Sequence, residues 1–571
     1  MRMEISMRID LYPEKSQYIT GEKVQLIAQL DAFPPKNTIA ILQVYHLDQQ
    51  ILSFQMPAQK VMCLEVGDFS QCFAGFGAEL SILHNGNETA FASTAFDVVA
   101  RHSQVIRYGF LSDFGSEENE CTDVETLRKF HINMVQYYDW SYRHDDLVSP
   151  ENQYSDMMGR WVDLETVKTK IAACRRFGIK SLGYGAVYAA SRTFYEKHPD
   201  WALYTAAGEP FVFIDTFYLM NIAENSPWHD HIINEYAKAV SQVGFDGIHM
   251  DTYGFPKTAF SSTKDRIRLD EEYPHLIEDT KKALNQIQPD NYLIFNNVGN
   301  WPVQSVAGTE QDAIYIEVWE PYSQYCHMKQ IILEAEKACG NQKQVILAAY
   351  LAPFRTDTQE RALNAALLLT AAIASNGATH LLLGEKNGVL TQGYYVDHSV
   401  MTEHQSKCLR NYYDFLVRYT ELLYDKSLKD VSFTQIGWDN TEYLCLSHSW
   451  SPDGKIDTLW LTIRENEKFK CISIINLVGC ENDAWNQGKN TPVSQKEVAF
   501  EVQVDRKIGG VFFASPDWEK RGAQRLDYSL KHTDRGIAAQ FTVPYVDFWS
   551  MVYILLEEDC IDISDINGKE N

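Results

Sequence analysis

Eight short apolar runs, spaced by longer stretches with helical periodicity, constrain this chain more than any other feature. The runs fall at residues 105–111, 134–138, 181–187, 247–251, 293–297, 313–319, 345–350 and 379–384. Helical patterns lie between them, at 163–177, 229–243, 271–286 and 358–375. Short strands alternating with helices predict parallel strands joined by helical crossovers. Eight such units over 101–430 predict a closed (β/α)8 barrel. An open doubly wound sheet is the alternative, and the lack of a GxGxxG segment after the first strand counts against it.

The flanks read differently. Residues 1–100 and 431–571 carry partly alternating runs rich in β-branched residues, punctuated by turn formers such as Phe33-Pro34-Pro35-Lys36-Asn37. Together with a length too great for one core, they predict a multidomain chain. The expected order is an N-terminal immunoglobulin-like β-sandwich, the barrel, and a C-terminal antiparallel β-sandwich. The polar, acidic stretch 562–571 is expected to fray.

A net charge of −26 argues against nucleic acid, whose phosphates need clustered Lys and Arg, and against anionic membrane surfaces. A neutral ligand meets no such barrier. The chain has 12 Trp and 31 Tyr, an aromatic supply that serves core packing and also offers flat faces to sugar rings. Eleven scattered cysteines without a CxxC fit free thiols in a reducing compartment. No stretch has the length of a membrane span or the apolar core of a signal peptide, so a cytoplasmic location is expected.

Two of the strands end on carboxylates. Gly247-Ile248-His249-Met250-Asp251 is followed closely by Gly254, and Ala313-Ile314-Tyr315-Ile316-Glu317 by Trp319. In a parallel barrel these ends lie at the mouth, where catalytic groups sit. A carboxylate pair can protonate a leaving oxygen and attack, or activate water at, an anomeric carbon. Polar neighbours Asp246 and His249 suit Asp251 to the ionised role. Tyr315 and Trp319 suit Glu317 to the protonated one. The plain readings are an Asp that caps the next helix and a Glu at the surface, and Glu320 competes for the acid role.

At this point the chain resembles glycoside hydrolase family 66, the dextranases and cycloisomaltooligosaccharide glucanotransferases. Four segments carry the likeness: Tyr137-Tyr138-Asp139-Trp140-Ser141-Tyr142-Arg143-His144, Phe245-Asp246-Gly247-Ile248-His249-Met250-Asp251-Thr252-Tyr253-Gly254, Tyr315-Ile316-Glu317-Val318-Trp319 and Asn376-Gly377-Ala378-Thr379-His380-Leu381-Leu382-Leu383-Gly384-Glu385. The resemblance implies retaining cleavage of α-1,6-glucosidic bonds in dextran or isomaltooligosaccharides, with no cofactor. Asp251 is then the nucleophile and Glu317 the acid/base. It also suggests substrate-binding roles for Tyr138, Asp139, Trp140, His144, Asn297, Trp319 and Glu385. Trp201 and Trp228 read as packing residues. His229 and His231 do not share a helix face and lack a third ligand, so no metal is expected.

Two departures from the family shape the expectation. Without an export signal, the substrate is expected to be an imported oligosaccharide. No barrel connection has room for the carbohydrate-binding insertion of the cyclising members, which favours hydrolysis over cyclisation. A transglycosylating enzyme and a non-catalytic glucan-binding protein are the rival readings.

Overall fold

The computed structural model describes residues 7–118, 121–435, 440–518 and 522–561; the stretch expected to fray, 562–571, lies outside them. Its centre is an eight-stranded parallel sheet. We label the strands β1 (Tyr108–Leu111), β2 (Met134–Tyr137), β3 (Lys180–Ala186), β4 (Gly247–Asp251), β5 (Tyr292–Val298), β6 (Ala313–Glu317), β7 (Gln344–Ala348) and β8 (Thr379–Leu381). They pair in sequence order, and a single parallel bridge between Phe110 and Gly384 brings β8 back to β1. The predicted strands and helices are present, with ends shifted by a few residues.

Alternation along each strand separates two apolar layers. Tyr108, Phe110, Leu182, Ile294, Tyr315, Ile346 and Tyr350 fill the barrel interior. Ile248, Met250, Leu293, Phe295, Ile314 and Ile316 face outward under the helices. Helix 164–176 starts at Asp163, whose carboxylate accepts from the backbone N–H of Glu165 at 2.9 Å. The helix Pro227–Lys238 runs into one π-helical turn, Ala239–Val243, which Gly244 ends at a φ of 96°. That turn delivers the chain to β4. Helix Gln359–Ser375 is apolar almost all round because it is covered on both sides, and Ser375 reaches Ser473 of the C-terminal region at 2.6 Å.

On the N-terminal side, a three-stranded and a five-stranded sheet share one core built from Leu11, Val24, Leu26, Leu42, Phe76 and Ile82. On the C-terminal side, a seven-stranded and a four-stranded sheet enclose Leu461, Ile463, Ile472, Phe500, Val543 and Ile554. Both regions are tied into the barrel by buried polar contacts. Arg107, just before β1, grips Asp97 with two nitrogens at 2.9 Å each. Helix Glu403–Arg418 lies so near the N-terminal sheet that a Cβ on Gly77 would fall 2.3 Å from the Arg418 guanidinium carbon.

No helix among the described residues is long and apolar enough to cross a membrane. All eleven cysteines are free thiols.

Candidate active site

Strand parity places Asp251 and Glu317 on the interior side, at the ends of β4 and β6. Between them, on β5, stands Asn296. Its amide nitrogen donates to Asp251 Oδ1 at 2.6 Å and to Glu317 Oε2 at 3.1 Å. The two N–H bonds of one planar amide diverge by about 120°, which sets the two acceptor oxygens about 5 Å apart. Each carboxylate has a second neutral donor: Tyr184 on Asp251 Oδ2 at 2.6 Å and Tyr350 on Glu317 Oε1 at 2.7 Å.

Tyrosines form the floor. Tyr350 is 3.1 Å from Tyr395, and Tyr395 is 2.8 Å from Tyr315, so a chain of hydroxyls runs from the interior to Glu317. One layer down, Tyr108 meets His249 at 2.9 Å, and burial pushes the imidazole pKa to about 3, leaving it neutral.

Burial pushes the Asp251 carboxyl up to about 7, with the Glu317 charge adding to the rise and the Asn296 and Tyr184 donors opposing it. Burial also raises Glu317, against hydrogen bonds from Tyr350, Asn296 and Trp319. Two adjacent carboxyls of this kind release their protons in two separated steps that belong to the pair. The contrast expected from sequence, a polar setting for Asp251 and an apolar one for Glu317, is absent. Asp246 lies at the strand base accepting from Ser181 N–H, His249 is neutral, and Tyr315 turns to Tyr395. The two environments are nearly symmetric.

Several expected binding residues gather around the pair. Tyr138 stacks on Tyr395 with centroids 4.5 Å apart. Asp139 has a φ of 51° and faces Arg160 at 3.8 Å; burial raises it to about 7, and its charge bears on Asp251. Trp319 is 44 % exposed and meets Tyr350 edge-on. A Cβ on Gly393 would lie 3.2 Å from that indole, so the loop after β8 closes against it. His144 packs on Tyr184 and Phe217, its buried Nδ1 without a hydrogen-bond partner. Glu320 is exposed, beyond the strand end, and away from this ring of donors.

Three expected site residues lie elsewhere. Trp140 is fully buried in the outer layer against Phe245, its indole N–H on the Tyr184 carbonyl, so no sugar face reaches it. Asn297 follows Asn296 and therefore faces outward, donating to Phe295 and Tyr315 carbonyls. Glu385 is fully buried behind the wall, 2.6 Å from Lys170 and accepting from Ser112 and Asp113 N–H groups. Trp228 is buried and Trp201 stacks on His198. His229 contacts Ile222 O and Asp279, His231 contacts Asp145 O, and the two rings serve separate contacts. Tyr184, Asn296, Tyr350 and Tyr395 were not singled out from sequence. The first three share interior parity with Asp251 and Glu317, which is the signal that finds them.

A parallel barrel with two adjacent buried carboxyls at its mouth, neutral donors on each and flat rings around them, is an arrangement that glycosidases use. The family match is specific: residues 13–553 match glycosyl hydrolase family 66, and the chain belongs to that family. It is 21 % identical over 704 aligned positions to a cycloisomaltooligosaccharide glucanotransferase of Niallia circulans, covering 95 % of this chain and 72 % of the relative. It is likewise 21 % identical over 545 positions to a dextranase of Streptococcus salivarius, covering 81 % and 65 %. The crystal structure of a Paenibacillus sp. cycloisomaltooligosaccharide glucanotransferase complexed with cycloisomaltoheptaose superposes with a TM-score of 0.86 at 21 % identity, over 95 % of this chain and 99 % of that one. The fold is shared along nearly the whole length.

Proposed function

We propose that this protein is a retaining hydrolase of α-1,6-glucosidic bonds in dextran or isomaltooligosaccharides. The observation that carries the reading is the pair bridged by one amide nitrogen of Asn296. At ideal amide geometry the two bound oxygens lie about 5 Å apart, a close spacing that supports direct attack with retention over attack by an interposed water. In the first step Glu317 gives its proton to the glycosidic oxygen, the C–O bond breaks, and Asp251 Oδ closes on the anomeric carbon. In the second step Glu317, now ionised, takes a proton from water, which displaces Asp251 and restores the starting configuration. Asn296, Tyr184 and Tyr350 hold both carboxylates in place as charge shifts between them.

The role assignment rests on position and family likeness, since the two environments are alike. Glu317 stands beside the half-exposed Trp319, where a leaving sugar can stack, while Asp251 lies beside Tyr138, Asp139 and Tyr184, which suit the sugar that is attacked. The test is proton NMR of the first-formed anomer from isomaltooligosaccharides of defined length. Release of α-anomer is expected, and release of β-anomer refutes retention. Asp251→Gly is expected to abolish turnover with the fold intact.

Transfer to a second sugar instead of water is the alternative outcome of the same intermediate, and the glucanotransferases among the relatives favour it. Against cyclisation stands the alignment itself. At 704 positions it exceeds this chain of 571 residues, so the relative has residues within the matched span that find no counterpart here.

A further inference from the structure

The segment linking Phe469–Asn476 to Gln495–Val504 in the C-terminal region leaves its own sheets and lies across the ends of β6 and β7. It is internally buckled. Lys489 is fully buried and donates to Asn482 Oδ1 at 3.0 Å and to the Gln487 carbonyl at 2.9 Å. Buckled in this way, the strap presents a row of polar groups to the barrel. The Trp485 indole N–H donates to Tyr322 O at 2.6 Å and its backbone N–H to Ser323 O at 3.1 Å. Asp483 O accepts from Tyr325 N–H at 3.0 Å, and Asn486 Oδ1 accepts from Ala352 N–H at 2.8 Å.

What the strap holds is the turn that follows Glu317. Tyr322 N–H closes that turn on Trp319 O at 3.0 Å. Trp319 itself meets Tyr350, the donor to Glu317 Oε1. The carbonyls of Tyr322 and Ser323 need partners as the turn is covered, and the strap supplies them. A continuous line of contacts thus runs from Trp485 through Tyr322 and Trp319 to the acid/base carboxyl.

We propose that Trp485 is a positioning residue for catalysis, through which the C-terminal region sets Trp319 and Glu317 for the departing sugar. The proposal rests on the glycosidase reading of the site. Its distinctive consequence concerns the leaving group. A departing glucose needs protonation by Glu317 and a ring to stack on, whereas a nitrophenolate needs neither.

The test compares kcat/KM for an isomaltooligosaccharide with that for a nitrophenyl α-isomaltotrioside in wild type, Trp485→Phe and Asn486→Ala. Phe keeps the ring packing and removes the N–H. For Trp485→Phe the oligosaccharide value is expected to fall about tenfold, while the nitrophenyl value stays within about twofold, since only the acid-assisted step is weakened. Asn486→Ala is expected to move the ratio in the same direction by less, and it decides the matter if Trp485→Phe does not fold. An equal loss on both substrates, or none, overturns the proposal. A wild type inactive on every α-glucan would instead refute the glycosidase reading, and this inference with it.

Discussion

Asp251 and Glu317 share one donor: the amide nitrogen of Asn296 lies 2.6 Å from the first and 3.1 Å from the second. That single group both spaces the pair and stabilises its charge. Asn296→Ala is therefore expected to lower kcat/KM by about 10²-fold, the usual cost of losing one preorganised donor. It also removes a hydrogen bond that favours ionised Asp251, so the Asp251 pKa rises further. The acid limb of kcat/KM moves to higher pH, since the nucleophile must be ionised. A pH–rate profile with an unmoved or lowered acid limb would contradict this role.

Tyr350 acts on the other member. Its hydroxyl favours the carboxylate form of Glu317, so Tyr350→Phe raises the Glu317 pKa. A general acid works while protonated, and the alkaline limb is expected to shift to higher pH. The rate at the optimum falls about tenfold, in keeping with loss of one hydrogen bond to a charged group. Profiles of kcat/KM for wild type and variant on one isomaltooligosaccharide check both statements.

Removing the Glu317 charge has the opposite effect on its neighbour. That charge raises Asp251, so in Glu317→Gln the Asp251 pKa drops below about 7. With a nitrophenyl substrate, which needs no acid, formation of the glycosyl-enzyme is expected to persist to lower pH than in wild type. Pre-steady-state release of nitrophenolate across pH measures it. A higher acid limb would show that Glu317 and Asp251 do not interact as placed.

Glu385 separates support from binding. Glu385→Ala leaves Lys170 with one carboxylate fewer and strips Ser112 and Asp113 N–H of their acceptor. Breaking a buried pair of this type costs about 3 kcal/mol or more. The thermal midpoint is expected to drop by several degrees while KM of the remaining folded enzyme stays within about twofold. A large KM change at unchanged stability would return Glu385 to the substrate site.

The barrel was legible because β-strand and helix periodicities alternate cleanly, and Asp251 and Glu317 were legible because acidic residues at apolar strand ends stand out. What failed was parity and depth. Asn297 and Asn296 are adjacent amides, and only the inward turn of Ile294 and Tyr315 says which one faces the pair. Trp140 and Glu385 sit in family-like segments at strand ends, yet the chain has already left the mouth there, one into the helix layer and one into an ion pair. Trp485 lies in the C-terminal region, far along the chain, and no local pattern links it to residue 322.

The barrel is continuous from β1 to β8 and closes where Phe110 bridges Gly384 and Glu385 accepts from the Ser112 and Asp113 N–H groups. Asp251 and Glu317 lie across the barrel from that join, whereas Tyr138 and Tyr395, which stack face to face, flank it. The stacked rings and the pair that breaks the bond are thus carried by different arcs of the barrel. Substitutions near the join are expected to change KM more than kcat, and substitutions on β4 to β6 the reverse.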